Sequence, residues 1–407
     1  MSNEKTDERG GPLAGVRILD LTSVIMGPFA TQILAGLGAE VIKVESPEGD
    51  NMRHVGPMNH AGMGHIFLHA NQGKRSVVLD LKHEDARAAL HKLIARSDVM
   101  VSNIRPQALA RLGLDYDTLK LAHPRLVHVS CCGFGQDGPY AARAAYDDLI
   151  QGASGISWLM SQSGAASPRY APTTLGDRVT GLHTVYAITT ALYERERSGS
   201  GQSVVVPMFE SMVQFVLGDH LGGLSFSPAQ GEPGYARLLT EHRRPYETLD
   251  GHLCVLIYND KQWKAFFAAI GQGERFDNDA RFSTHTNRAR HIGEVYAEVA
   301  RLMRERTTQQ WRTLLDAADI PNMPMNSPHD LLDDPHLQAV DFIRHVEHPT
   351  EGPLRTPGNP TQWSRTACTP ASPAPGLGEH TAEVLEELGY TPDDIAALRR
   401  RGATGNT

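Results

Sequence analysis

The chain has 407 residues, 40% hydrophobic and 21% charged, which is typical of a globular protein long enough for two or more domains. Its 39 basic and 47 acidic residues give a net charge of −8 without a long run of either sign, which argues against a nucleic-acid or membrane-surface partner. No stretch is apolar enough to span a membrane, and the polar residues 1–11 are expected to form a disordered tail. Four cysteines without metal-site spacing predict reduced thiols in a cytoplasmic protein.

Short apolar runs alternate with helical patterns through the first half of the chain. The runs VRILDL, EVIKVE, SVVLDL and DVMVSN predict strands separated by helices, which indicates βαβ units and a parallel sheet. The fold class is therefore predicted to be α/β, with a large Rossmann-like domain over residues 12–206. A turn-rich linker over residues 207–237, a smaller α+β domain over residues 238–324 and a Pro/Gly-rich C-terminal region over residues 325–407 are expected to follow.

The glycines of GFGQDG, residues 133–138, match a dinucleotide-binding pattern after a predicted strand. The sequence continues into Pro139 rather than into a helix, and no acidic residue ends a second strand about 20 positions later. We therefore do not predict a nicotinamide site, and expect a glycine-rich loop that borders another kind of site.

Basic and amide side chains flank the predicted strands. They are Lys74, Arg75, Lys82, Asn103, Arg105 and Arg111. Such residues are usually solvated, but their number in a net acidic chain favours a pocket for an anionic group.

Next to the GFGQDG loop, Asp147 and Asp148 precede a helix. Capping explains one of these carboxylates, and adjacent residues rarely converge on one substrate atom, so a paired acid–base site is not predicted. The histidines lack the spacing of metal ligands, so no metal site is predicted.

Asp177 lies where an amphipathic helix begins, within residues 171–206. As an N-cap, its carboxylate would accept the first amide protons of the helix. As a nucleophile, the same carboxylate would be kept ionised by the helix terminus. The two roles are compatible, and the local pattern does not decide between them.

The motifs together resemble the family III CoA-transferases, the group that contains formyl-CoA transferase and carnitine CoA-transferase. The resemblance runs in family order from residue 12 to about residue 398, through PLAGVRILDLTSVIMGPFATQILAGLGAEVIKVESPEGD, NQGKRSVVLDLK, DVMVSNIRP, GFGQDGPYAARAAYDDLIQGASG, LGDRVTGLH, GSGQSVVVPMFES, RRPYETLDG and APGLGEHTAEVLEELG. It implies that residues 12–206 and 325–407 form one large CoA-binding domain, and that two chains form an interlocked-ring homodimer.

By this resemblance, Asp177 attacks an acyl-CoA to give an anhydride and then an aspartyl-CoA thioester, from which a carboxylic acid takes CoA. A small dicarboxylate such as succinate is the expected partner acid. Coenzyme A enters as a substrate thioester, and no permanently bound cofactor or metal is expected. The implied CoA contacts are Met26, Leu79, Lys82, Asn103, Arg105, Arg111 and Tyr146.

The sequence departs from the family pattern in residues 235–246, which lack the glycine-rich loop that covers the site in some members. The same fold also hosts alpha-methylacyl-CoA racemases, which place a histidine where this chain has Tyr146; a tyrosine there favours transfer over racemisation. A racemase and a non-catalytic CoA-binding protein, in which Asp177 only caps its helix, remain the alternative hypotheses.

Overall fold

The computed structural model describes residues 10–164, 167–368 and 371–405, so the predicted tail lies outside the described residues except for its last two. The chain divides into two compact units. The first unit contains the described residues up to Ile150, Thr173–Met212 and the described residues from His336 onward. The second unit contains the described residues of Gln151–Pro172 together with Val213–Pro335. The domain boundaries predicted at 206, 237 and 324 stay a prediction, and residues 151–172 group with the second unit.

A parallel sheet organises the first unit. Its six strands, counted within the described residues, are β1 (Arg17–Leu21), β2 (Glu40–Glu45), β3 (Lys74–Val78), β4 (Val99–Ser102), β5 (Val127–Cys132) and β6 (Ser203–Pro207). They lie in the order β3-β2-β1-β4-β5-β6 and every neighbouring pair is parallel. This is the strand order of the Rossmann fold, which confirms the predicted α/β class with a parallel sheet.

Helices connect these strands, and helices also form much of the second unit. Up to the end of the long central helix they are α1 (Met26–Gly36), α2 (His65–Ala70), α3 (Glu84–Ile94), α4 (Pro106–Arg111), α5 (Tyr116–Ala122), α6 (Asp147–Ala153), α7 (Ile156–Gln162) and α8 (Leu175–Ser198). The remaining ones are α9 (Met208–His220), α10 (Ala236–Leu239), α11 (Asp260–Ala269), α12 (Arg275–Asn278), α13 (His285–Arg290), α14 (Ile292–Met303), α15 (Thr308–Ala317), α16 (Pro328–Leu332), α17 (Pro335–Ala339), α18 (Thr381–Glu387) and α19 (Pro392–Arg400). None of the described helices has the length and apolar character needed to cross a bilayer.

The second unit has its own small sheet and aromatic core. Its strands are β7 (Tyr246–Glu247), β8 (His252–Val255) and β9 (Asn322–Pro324), paired antiparallel in that order. The core is built from large side chains of the surrounding helices, and Trp263, Phe266 and Trp311 are almost completely buried in it. The first unit also contains an antiparallel hairpin, β10 (Ile343–His348) and β11 (Gly352–Pro357).

The C-terminal segment covers the outer edge of β3. The amide of Gly73 donates to the carbonyl of Ser372, and the amide of His380 donates to the carbonyl of Ser76. Just after the end of β3, the Asp80 amide donates to the Ala403 carbonyl. An edge strand with unpaired amide and carbonyl groups invites association with other chains, so these bonds close the sheet on that side.

Buried ion pairs fix the interior of this sheet. The Lys74 ammonium lies 3.0 Å from the Asp20 carboxylate and also donates to the carbonyl of Pro28 and to Asn71. Burial alone would raise the pKa of Asp20, but Lys74 and Lys43 hold it at about 2. The sequence-based interpretation of Lys74 as an anion ligand is therefore wrong, because its ammonium group is buried and paired with the Asp20 carboxylate.

Helices α1 and α8 pack closely through a glycine. A Cβ built on Gly181 would lie 2.8 Å from the Phe29 ring and 3.0 Å from the carbonyl oxygen of Met26. We expect Gly181→Ala to lower the free energy of unfolding by about 1–3 kcal/mol, because the two helices would be forced apart. The matched control is Gly36→Ala in α1, where an added Cβ meets nothing within 4 Å; it should leave stability unchanged or raise it by up to about 1 kcal/mol in denaturant titrations.

Candidate active site

The carboxyl ends of the parallel strands form the edge where ligands bind in open α/β sheets. The strand order reverses between β1 and β4, so the loops that follow these two strands flank a crevice at that edge. The loop after β1 leads into α1, and α1 packs against α8. The sequence therefore brings the start of α8 towards the ligand edge by way of α1.

Asp177 is the third residue of α8, not its N-cap. The N-cap position belongs to Thr174, whose side chain makes no capping hydrogen bond, so the predicted N-cap role of Asp177 is wrong. The carboxylate still lies in the first helical turn, where the helix dipole favours negative charge. The helix ends at Ser198, and Gly199 follows in the left-handed conformation with φ of 78°.

Asp177 is only 8% exposed, and its surroundings disfavour the charged form. Burial is the largest cause and the nearby Asp147 carboxylate the second; although Arg178 opposes them, together they raise the pKa of Asp177 to about 7. At neutral pH the group is therefore divided between its acid and carboxylate forms. A buried carboxyl group that titrates near neutrality is typical of a reactive site.

Asp147 is bound to the backbone of Asp177. The amide of Asp177 donates a hydrogen bond of 2.9 Å to Asp147 Oδ1. Space for this contact depends on Gly176, where a Cβ would lie 3.1 Å from the same oxygen and 3.4 Å from the Met208 sulfur. The sequence predicted that one of the two carboxylates, Asp147 or Asp148, caps the following helix, but nothing in the local pattern indicated that Asp147 reaches the first turn of α8.

Arg178 is the residue that follows Asp177 in α8. Its guanidinium group sits 4.4 Å from the centre of the Phe29 ring, a cation–π contact between α8 and the first turn of α1. Burial lowers the pKa of Arg178 and the Asp177 carboxylate raises it, with burial the larger effect. Sequence reasoning missed both Arg178 and Phe29, although LGDR and GPF stand in motifs that it singled out.

The glycine-rich loop after β5 packs against the start of α9. The amide of Phe209 donates to the carbonyl of Gly133, and the amide of Gly135 donates to Glu210 Oε1 at 2.8 Å. No helix follows this loop until α6 begins, as expected for a loop that does not bind a dinucleotide. Among the described residues, no group of three His, Cys, Asp or Glu side chains is arranged to hold a metal ion.

Comparison with known proteins identifies the family, because the profile described as CoA-transferase family III matches residues 13–381. The chain belongs to the family III CoA-transferases. It is 36% identical to a succinate–glutarate CoA-transferase of Agrobacterium fabrum, over 93% of this chain and 96% of that protein. It is 31% identical to the human succinyl-CoA:glutarate CoA-transferase, over 96% of this chain and 89% of that protein. The protein is therefore a CoA-transferase.

Two further likenesses extend the family relation. A formyl-CoA:oxalate CoA-transferase of Shigella sonnei is 32% identical over 96% of this chain and 99% of that protein. Among solved structures, a CAIB/BAIF family protein from Brucella suis superimposes with a TM-score of 0.79 and 31% identity, covering 93% of this chain and all of that one. The family III fold thus accounts for nearly the whole length of the chain.

The positions predicted to contact CoA in this family III enzyme follow three strands of the sheet. Met26 begins α1 after β1, Leu79 and Lys82 follow β3, and Asn103, Arg105 and Arg111 follow β4, while Tyr146 precedes α6. Met26 and Leu79 are buried, whereas Tyr146 and the three cationic side chains are exposed. Tyr146 directly precedes Asp147, whose carboxylate accepts the Asp177 amide. Among the described residues, the charged groups that act on the Asp177 carboxyl group are Asp147 and Arg178, and not Lys82, Arg105 or Arg111.

Two of the predicted polar side chains already bind the protein itself. Asn103 donates from Nδ2 to the carbonyl of Ser23 at 2.8 Å and accepts from the Ser23 amide at 3.1 Å. Arg75, considered an anion ligand, pairs with Glu40 at 2.9 Å and with Glu387 at 2.8 Å. The interpretation of Arg75 as an anion ligand is therefore wrong, because it ties β3 to β2 and α18.

Proposed function

We propose that Asp177 carries CoA transfer as a covalent nucleophile, moving CoA from an acyl-CoA to a free carboxylic acid. The observation that supports this role is a buried carboxylate in the first turn of α8, whose pKa of about 7 leaves a reactive carboxylate at neutral pH. The resemblance of the LGD motif to the family pattern also supports this role, since it implies that Asp177 corresponds to the family's catalytic aspartate.

The reaction needs four substitutions at carbonyl carbons. Asp177 attacks the thioester, so a C–O bond forms, the C–S bond breaks, and CoA leaves as its thiolate. The thiolate attacks the side-chain carbonyl of Asp177, giving the aspartyl-CoA thioester and releasing the donor acid. The acceptor carboxylate attacks this thioester and displaces CoA, which then attacks the acceptor carbonyl and restores the Asp177 carboxylate.

No proton is gained or lost at any of these steps, because each nucleophile and each leaving group is an anion. The site therefore needs no general base, which agrees with a tyrosine at position 146 in place of a histidine. What it does need is stabilisation of the oxyanion that forms at each attack, and the positive end of the α8 dipole lies at Asp177.

Coenzyme A is proposed to bind along the ends of β3 and β4. Lys82, Arg105 and Arg111 are exposed there, and with Leu79 and Asn103 they would contact the phosphates and the adenine. Met26 and Tyr146 would line the path of the pantetheine chain towards Asp177. Coenzyme A is then a substrate, and the proposal includes no permanently bound cofactor.

The acids are proposed to be small dicarboxylates. This inference rests on the named relatives, which act on succinate and glutarate at 36% and 31% identity. A formyl-CoA:oxalate transferase at 32% identity also uses a short dicarboxylate, oxalate, as one partner. Succinyl-CoA with glutarate is therefore the first substrate pair to test.

The interlocked homodimer is proposed on the exposed face of α8. Leu182, Tyr186 and Tyr193 follow each other at helical spacing and are 53%, 56% and 65% exposed in the single chain. Exposed large apolar residues that share one helix face are typical of an interaction surface.

The predicted cytoplasmic location is kept as part of the proposal, because all four cysteines are unpaired.

The experiment that tests Asp177 is chemical trapping. The protein is incubated with succinyl-CoA and hydroxylamine, which converts an aspartyl anhydride or thioester to a stable hydroxamate. Trypsin should then release residues 170–178, YAPTTLGDR, in which Asp177 is the only acidic side chain. We expect the hydroxamate mass on that peptide, loss of activity, and neither effect without an acyl-CoA; an inactivated protein with an unmodified peptide would contradict the proposal.

A further inference from the structure

The turn between β1 and α1, residues 22–24, contains a strained residue. Val24 has φ of 73°, in the left-handed region that a β-branched side chain rarely adopts. The other non-glycine residues with positive φ in the described chain are Asp319 and Asp341, and aspartate tolerates this region better. Such strain persists only where the surrounding structure holds it, and it is common at functional sites.

A buried ion pair holds the turn from one side. The amide of Val24 donates to both carboxylate oxygens of Asp50, at 3.1 and 3.2 Å. Lys43 lies 3.0 Å from the same carboxylate and donates to the carbonyl of Thr22 at 2.7 Å. Both charged side chains are completely buried, so these contacts are shielded from water.

Asn103 holds the same turn from the other side through the backbone of Ser23. All three residues of the turn are thus fixed by side chains that come from β2, from the loop after β2, and from the loop after β4. The hydrogen bonds reach backbone atoms only, so their effect is to set the path of the chain into α1.

The path of the chain through this turn sets how α1 packs against α8, the helix that carries Asp177. A Cβ on Gly27 would lie 2.4 Å from the Thr22 side chain, so the turn touches the first turn of α1 directly. Two residues further, Phe29 carries the Arg178 guanidinium on its ring and contacts Gly181. Both partners of Phe29 are close to Asp177 in α8, so a shift of the turn moves the surroundings of the nucleophile.

We propose that Asp50, with Lys43, is a positioning residue for CoA transfer: it holds residues 22–24 in the strained conformation that sets α1 against the first turn of α8. The inference rests on the proposed role of Asp177. It predicts that the contacts of Asp50 are needed mainly because residue 24 is a valine. A glycine adopts the same φ without strain, and therefore depends less on the hydrogen bonds of Asp50.

The test is a cycle of Asp50→Asn, Val24→Gly and the double variant. In Asp50→Asn one of the two oxygens that accept the Val24 amide becomes an NH2 group, and the buried Lys43 loses its counter-charge, so the turn is released. The kcat of CoA transfer should then fall about tenfold or more, since small misplacements at a reacting centre have effects of this size. Adding Val24→Gly should restore kcat to within about threefold of Val24→Gly alone. The melting temperature should stay low in the double variant, because Lys43 has still lost its carboxylate partner.

The control is Asp98→Asn. Asp98 also accepts a backbone amide, from Arg17, and pairs with Arg195 at 2.9 Å. It precedes β4 and therefore lies at the amino ends of the strands, away from the carboxyl ends where the site lies. Asp98→Asn should lower the melting temperature and leave kcat unchanged. If Asp50→Asn does not fold, the double variant is compared with Val24→Gly alone.

A double variant as slow as Asp50→Asn would overturn the proposal, as would a folded Asp50→Asn protein with the kcat of the unmodified enzyme. Failure of the proposed function looks different: the unmodified protein would then show no hydroxamate on residues 170–178, whatever the result of the cycle.

Discussion

Asp177→Asn should reduce CoA transfer by at least about 10³-fold, because an amide cannot form the covalent intermediates and loss of a nucleophile has effects of this size. Binding of free CoA should stay close to that of the unmodified enzyme, since the predicted CoA contacts lie at other residues. Calorimetry with CoA and a steady-state assay with succinyl-CoA and glutarate measure the two properties separately. A variant that keeps its turnover would show that Asp177 is only a structural residue of α8.

The same substitution should stabilise the protein at alkaline pH. Burial, and then the Asp147 carboxylate, raise the pKa of Asp177 from 3.8 to about 7 in the folded state. The folded protein therefore loses stability as pH rises from about 4 to above 7, because the unfolded chain ionises more readily. At 1.36 kcal/mol per pKa unit the loss amounts to at most about 4 kcal/mol. Asp177→Asn should remove this pH dependence in denaturant titrations at pH 5 and pH 8.

Asp147→Asn should move the acidic limb of the pH–rate profile to lower pH. The Asp147 carboxylate is the second cause, after burial, that raises the pKa of Asp177, so an uncharged amide there lowers that pKa. The carboxylate form of Asp177 would then persist at lower pH, and activity at pH 6 relative to pH 8 should increase. The oxygen of the new amide can still accept the Asp177 amide hydrogen, so the first turn of α8 is kept.

Asp148→Asn is the matched control for this shift. Asp148 is the next residue in α6 and is exposed, and it is not among the groups that set the pKa of Asp177. Its removal should leave the acidic limb in place. Equal profiles for both variants and the unmodified enzyme would mean that the acidic limb does not report Asp177.

The sheet was predictable because its strands are short, apolar and separated by helical patterns. Such periodicity can be recognised in a single sequence. Parallel strands joined by crossover helices also allow few topologies. Lys74 shows where this reasoning fails: next to a strand it looks like a solvated cation, while the structure buries it against Asp20. Pattern gives the position of a charge in the chain but not its partner 54 residues away.

The local pattern predicted a helix that begins near Asp177, whereas the nucleophilic role of this residue is an expectation that comes from the family resemblance. The N-cap assignment placed the start of the helix three residues late, because Thr174 and Asp177 both suit an N-cap. Asp147, Arg178 and Asp50 act through contacts between distant segments, and a local pattern does not encode them. The strained conformation of Val24 could not be predicted from the sequence either, since a valine rarely adopts a left-handed conformation and no local pattern indicates one.

The formation of covalent intermediates on Asp177 is tested most directly by following the transfer of oxygen atoms. In the proposed sequence the acceptor acid leaves one of its carboxylate oxygens on Asp177 when CoA attacks the acceptor carbonyl. Turnover of succinyl-CoA with ¹⁸O-labelled glutarate should therefore place ¹⁸O in the peptide of residues 170–178, whose only acidic side chain is Asp177. Turnover without ¹⁸O in that peptide would contradict the account, because the acceptor would then have received CoA without passing through Asp177.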